Sequence, residues 1–166
     1  MRTRGFEIVS KYQDEGLELP KRATKHSAGY DFQASEEVVL PSIWNTLFKH
    51  DRNAPKKGLT PILVPTGIKA YMQDDEYLQL TNRSSNPIKH FLILPNGVGV
   101  VDADYYNNDD NEGEIFFQLL NYGLRDKVIK KGDRIGQGIF MKFLKVDDEA
   151  VIEGSRMGGF GSSDQD

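Results

Sequence analysis

The feature that most constrains this chain is a rhythm of short β-forming segments set between turn-forming clusters. Segments 6–9, 38–40, 62–68, 77–80, 91–94, 98–101, 115–120 and 135–143 are rich in β-branched and aromatic residues, and Gly, Pro, Asn or Asp bounds them. Strands that short and that regularly punctuated predict an all-β sandwich, jelly roll or barrel. Two stretches read as helical. In 42–50, Ile43, Trp44, Leu47 and Phe48 fall on one face; after Asn86-Pro87, a cap followed by proline at the first helical position predicts a short turn. Neither is long enough to define the fold, and no internal repeat is present.

A length of 166 residues with 38% hydrophobic content fits one domain with a real core. Residues 1–152 read as that core. Residues 153–166 contain four glycines and one aromatic ring, and read as a mobile C-terminal lid. The formal charge of −4 argues against a broad nucleic-acid surface, though a few arginines and a divalent cation suffice for a small anion. With no cysteine, disulfides, thiolate zinc sites and a cysteine nucleophile are excluded; His26, His50 and His90 lie far apart in sequence. No apolar run approaches the roughly 20 residues of a membrane helix, and no signal-peptide core follows residues 1–5. The expectation is a soluble, cytoplasmic protein without membrane or nucleic-acid partners.

Five stretches carry chemistry when taken together. Thr81-Asn-Arg-Ser-Ser-Asn-Pro87 sets a guanidinium and two hydroxyls before a helix start, where amides favour an anion; it reads equally as an N-cap with a surface arginine. Asn96-Gly-Val-Gly-Val-Val-Asp-Ala-Asp-Tyr105 ends an apolar hairpin in carboxylates and a tyrosine, suited to orienting a water and packing a sugar, although acidic strand ends are commonly turn formers. Asp109, Asp110 and Glu112 read as a solvated acidic loop. Ala28-Gly-Tyr-Asp-Phe32 offers one carboxylate to a hydrated Mg²⁺, but alone reads as a turn. Gly132-Asp-Arg-Ile-Gly-Gln-Gly-Ile-Phe140 enters a strand with Gln137 as a polar contact or an ordinary strand residue. In Arg156-Met-Gly-Gly-Phe-Gly-Ser-Ser163, a charge, free amides and a stacking ring point to a ligand-closing lid more than to a passive linker.

In this order and spacing, the five stretches resemble the ordered motifs of the trimeric dUTP pyrophosphatase (dUTPase) family, and of its bacteriophage-encoded members with extra loop segments. The resemblance spans nearly the whole chain, from Leu19 to the tail and including Val64-Pro-Thr-Gly-Ile68. It implies a jelly-roll-like homotrimer that hydrolyses dUTP to dUMP and pyrophosphate with Mg²⁺. It implies that Asp31 holds water ligands of the metal, that Arg83, Ser84, Ser85 and Gln137 grip phosphates, and that Asn96 with the backbone of Gly97, Val98, Gly99 and Val101 reads uracil. Asp102 becomes the general base and Tyr105 the floor under the deoxyribose. Arg156, Phe160, Gly161 and Ser162 close over the nucleotide.

Several positions depart from the family pattern. Asn82 stands where glycine is common and Gly136 where alanine is, and one residue fewer than usual separates Arg156 from Gly158. Segments 42–60 and 106–112 are longer than usual; they read as inert loops or as docking elements for a regulatory, repressor-type protein. A dCTP deaminase on the same scaffold and a non-catalytic protein-binding trimer are the competing functions. The tail and the Asp102/Tyr105 spacing favour the dUTPase.

Overall fold

The computed structural model describes residues 2–48 and 60–150. Among the described residues twelve strands are formed: β1 Gly5–Ile8, β2 Lys21–Arg22, β3 Tyr30–Gln33, β4 Val38–Leu40, β5 Ile62–Pro65, β6 Ile68–Tyr71, β7 Glu76–Thr81, β8 Leu92–Ile93, β9 Gly99–Asp102, β10 Phe116–Asn121, β11 Lys127–Ile129 and β12 Arg134–Lys142. They pair antiparallel in a five-stranded sheet of order β2-β3-β12-β7-β9, a three-stranded sheet β5-β10-β8, and the pairs β1-β6 and β4-β11. The architecture is all-β, as the strand rhythm predicts, and jelly-roll-like, as the family resemblance implies.

Alternation sets the core. Every second residue of β7 (Glu76, Leu78, Leu80) and of β10 (Phe117, Leu119, Asn121) is buried while its neighbours are less so, the period of a pleated strand with one face inward. Leu78, Leu80, Phe32, Phe117, Leu119 and Ile135 meet in one cluster, and Phe32 packs at 5.3 Å from Phe6 and 5.6 Å from Phe117. Truncating a fully buried leucine such as Leu78 to alanine costs about 2–5 kcal/mol.

The structure corrects several expectations. Segment 62–68 is two strands in different sheets, because Thr66 and Gly67 (φ +67°) turn the chain between them. The Gly29-Tyr30-Asp31 turn is the entry to β3, whose propensity is supplied by pairing with β12 on one side and β2 on the other. Segment 42–50 does form the expected helix, described over Ile43–Phe48, with Trp44, Leu47 and Phe48 exposed.

Loop 106–112 is also more than a solvated polar segment. The Tyr106 hydroxyl donates to Glu7 at 2.6 Å, and Asn108 Nδ2 donates to the Tyr105 carbonyl at 2.8 Å. Glu112 accepts from the Ser10 amide and hydroxyl and pairs with Lys69 at 3.4 Å. These bonds tie the loop to β1, β6 and the turn at Ser10, so shortening it is expected to disturb the fold.

Candidate active site

Strand β7 delivers the chain to Thr81, and the next residues, Asn82-Arg83-Ser84-Ser85, turn into a five-residue helical turn, Asn86–His90, with proline in its first positions. Asn86 is not a side-chain cap. It is 2% exposed, and its Nδ2 donates to Asn82 Oδ1 at 2.7 Å and to the Ile135 carbonyl at 2.9 Å. Asn82 Nδ2 donates in turn to the Leu92 carbonyl at 3.1 Å. The Arg83-Ser84-Ser85 loop is therefore stapled to β8 and β12 by two amides. That accounts for asparagine at 82, where a glycine would leave both bonds unmade.

On the neighbouring strands, register places Asp31 of β3 opposite Gln137 of β12, and Gln137 opposite Thr81. Gln137 Nε2 donates to the Asn82 carbonyl at 3.4 Å. A Cβ at Gly29 would overlap the Gln137 carboxamide, so a side chain there would displace it. A Cβ at Gly136 would likewise overlap the Phe117 ring; glycine in place of the usual alanine is the counterpart of a large aromatic ring across the core.

Asp31 joins these elements. Its Oδ1 lies 3.4 Å from Arg83 Nε and its Oδ2 lies 3.2 Å from Arg134 Nη1. Arg134 is not legible as a site residue in the sequence, for a physical reason. Residues three apart on a regular strand face opposite sides, so Arg134 and Gln137 are not expected together. A register shift between Arg134 and Gly136 breaks that alternation and turns both toward Asp31. Two clefts flank the cluster, one of about 340 Å³ that includes Arg83, His90 and Lys127, the other of about 250 Å³ that includes Lys21, Arg22 and Asp31; Arg134 lines both. Burial and the nearby Lys127, Arg83 and Lys89 push His90 below its ordinary value, so this edge is rich in positive charge that an anion relieves.

The other predicted residues occupy a second region. Asn96 and Gly97 form the turn of the hairpin, closed by Gly97 N donating to the Leu94 carbonyl at 3.0 Å, and Val98 leads into β9 with Gly99 and Val101. Val101 is buried, whereas Val98 and Val100 are exposed. Asp102 ends β9 and Tyr105 follows in a 3-10 turn, its ring in the core and its hydroxyl donating to the Glu114 carbonyl at 2.9 Å.

The antiparallel register pairs Gly99 with Leu80 and Asp102 with Tyr77. Asp102 thus sits at the start of β7 and Arg83 beyond its end. Tyr77 and Arg83 are six positions apart, which at about 3.3 Å per residue is about 20 Å. One chain does not bring the Asp102 carboxylate and the Arg83-Ser84-Ser85 loop together. Arg156, Phe160, Gly161 and Ser162 lie outside the described residues.

The donor set bears on a metal. Among the described residues no three His, Cys, Asp or Glu side chains form a metal-holding group, and Asp31 is already shared by two guanidiniums. A lone carboxylate of this kind fits a Mg²⁺ that keeps its waters and draws its other ligands from phosphates, and does not fit an all-protein cage. Among the described residues no helix is long and apolar enough to cross a membrane.

A jelly-roll-like β protein with an arginine–serine loop, a carboxylate shared by two guanidiniums and a separate hairpin ending in a second carboxylate has the make-up of an enzyme class that handles small phosphorylated ligands. The dUTPase family model matches residues 15–164. The chain is 49% identical to the deoxyuridine 5'-triphosphate nucleotidohydrolase of Lactococcus lactis, over 98% of this chain and 99% of that protein. The dUTPase of Streptococcus mutans superposes with a TM-score of 0.73 at 46% identity, covering 86% of this chain and 98% of that one. A mutant dUTPase from phage phi11 of Staphylococcus aureus, which coordinates a structural Mg(II) ion, shares the fold with a TM-score of 0.65 at 18% identity, covering 92% and 98%. The chain belongs to the dUTPase family.

Proposed function

We propose that this dUTPase hydrolyses dUTP to dUMP and pyrophosphate at clefts assembled between the chains of a homotrimer. The observation that carries the reading is the separation of Asp102 from Arg83 along β7. A water oriented by one group while it attacks a phosphorus gripped by the other needs them a few ångströms apart, and a symmetric assembly supplies this from different chains.

In this reading Arg83, Ser84, Ser85 and Gln137 of one chain bind the triphosphate. Asn96 and the hairpin backbone from Gly97 to Val101 of another read the uracil edge, and Tyr105, fixed by its bond to Glu114, floors the sugar. Asp102 takes a proton from water as the water oxygen bonds to the α-phosphorus and the bond to the bridging oxygen breaks, releasing pyrophosphate. Mg²⁺, when bound with the nucleotide, supplies neutralising charge to the phosphates, with Asp31 accepting hydrogen bonds from its waters. Arg156, Phe160, Gly161 and Ser162 close the site and exclude water. The reaction limits uracil in DNA and supplies dUMP in the cytoplasm.

The test is complementation. Asp102→Asn chains and chains ending before Arg156 are each expected to be inactive; co-refolded in equal amounts, roughly a quarter of sites have both parts intact by independent draws, and pyrophosphate release is expected to return. Verified mixed trimers as inactive as their parents exclude assembly across chains.

A second role, docking of a regulatory protein, is favoured by Trp44, Leu47 and Phe48, which are 38%, 50% and 77% exposed at the start of segment 42–60. Replacing all three with serine is expected to abolish such a complex while dUTP turnover is retained.

A further inference from the structure

We propose that Arg134 is a positioning residue for Asp31: it holds one carboxylate oxygen in place while the other is handed from Arg83 to the water shell of the nucleotide's metal. The inference rests on the assignment of Asp31 and Arg83 above. It gives a role to a residue of the stretch Gly132–Phe140 to which neither the resemblance nor the phosphate contacts assign one.

The two arginines divide the carboxylate, with Oδ1 facing Arg83 and Oδ2 facing Arg134. They differ in what else awaits them. Arg83 rises from the phosphate loop, and an incoming triphosphate offers its guanidinium a larger negative charge than Asp31 does. Arg134 belongs to β12, where its backbone pairs with Gln33 beside Asp31, and the bulge aims its side chain back along β3. When Arg83 turns to the phosphates, Oδ1 becomes available and Arg134 still fixes the rotamer of Asp31. Without Arg134 the carboxylate loses both cations as the ligand enters, and its orientation is no longer set.

Lys21 does not substitute for it. Lys21 also lies opposite Asp31, on β2, but its Nζ pairs with Glu18 at 3.1 Å. Arg134 further restrains the loop through its carbonyl, which accepts from Arg83 Nη1 at 3.5 Å, an interaction that a side-chain substitution leaves in place. Because the Arg134 side chain is 53% exposed, its ion pair contributes little to folding, so a substitution reads out positioning with little cost to stability.

The test uses full-length Arg134→Gln and Arg134→Lys proteins. One measurement is the Mg²⁺ concentration for half-maximal dUTP hydrolysis; the other is calorimetric binding of a non-hydrolysable imido analogue of dUTP, with Mg²⁺ and with EDTA. Loss of an outer-shell group, the place Asp31 takes against the metal's waters, lowers metal affinity about 10- to 100-fold, and Arg134 acts by holding that group. Arg134→Gln is therefore expected to raise the half-maximal Mg²⁺ at least about tenfold and to remove most of the Mg²⁺-dependent gain in analogue affinity. Its affinity in EDTA is expected to stay within about twofold of wild type, and Arg134→Lys to recover part of the gain. A wild-type Mg²⁺ titration in Arg134→Gln overturns the proposal. So does an equal loss of affinity with and without Mg²⁺, which makes Arg134 a direct phosphate ligand. A wild-type protein that neither binds the analogue nor releases pyrophosphate overturns the dUTP assignment itself, and a wild-type protein that does both keeps the two failures distinguishable.

Discussion

The two ends of β7 are built by different rules. Beyond its C-terminal end, the Arg83-Ser84-Ser85 loop is held inside one chain: Asn82 and Asn86 staple it to β8 and β12, and Asp31, Arg83 and Arg134 interlock across β3 and β12. Beside its N-terminal end, Asp102 closes β9, an edge strand that presents exposed Val100, is preceded by exposed Val98, and has no sheet neighbour on its outer side among the described residues. A charged loop must keep its geometry while empty, so its polar groups are satisfied locally. An apolar hairpin on an edge is costly in water and gains by being covered, which suits a surface that another chain completes.

The largest expected break in this comparison is Asp102→Asn, which touches only the edge-strand end. Turnover is expected to fall at least about a hundredfold while dUTP affinity stays within about tenfold, roughly 1.4 kcal/mol, because the base is lost and the phosphate loop is not. Steady-state kinetics and nucleotide titration measure the two halves, and near-normal turnover removes Asp102 as the base.

Asn86→Ala attacks the other end. It strips donors from Asn82 Oδ1 and from the Ile135 carbonyl in a buried site, a loss of about 1–3 kcal/mol in stability. Its signature is weaker nucleotide binding, about tenfold, with the reaction of bound substrate slowed less. Wild-type affinity in this variant means that the loop keeps its shape without the staple.

The smallest effect sharpens the contrast away from the reacting groups. Glu76, at the start of β7, is buried against Arg4, and that hydrogen bond holds its carboxyl below the ordinary value of 4.5. A depressed carboxylate stabilises the fold at pH values above its ordinary value, and that contribution drains as pH falls from about 4.5 through the folded-state value. Glu76→Gln is expected to cost about 1–2 kcal/mol at neutral pH and to flatten the acid side of the stability curve, as followed by urea melts across pH. An unchanged acid limb assigns acid unfolding to other carboxylates.

Much of this molecule is legible along the chain. The alternation in β7 and β10 and Pro87 in the first turn after Asn86 are local patterns, because a strand period or a turn preference acts over a few residues; the order of Asp31, Arg83, Asp102 and Gln137 is legible only through the family resemblance. Asp31 shows where that ends: alone it reads as part of a turn, and only β2 and β12 make a strand of it. Asn86 reads as a cap because a buried acceptor on β12, 49 positions away, is invisible to local spacing.

What the sequence determined by itself is the all-β class, the strand periods and the inventory of charged and polar groups with their motif order. Tertiary structure decided which of those groups meet. The bulge that turns Arg134 toward Asp31, the staple through Asn86, and the separation of Asp102 from Arg83 all follow from cross-strand register. Register is fixed by packing between residues distant in sequence, and a shift of one position there moves a side chain from one face of a sheet to the other.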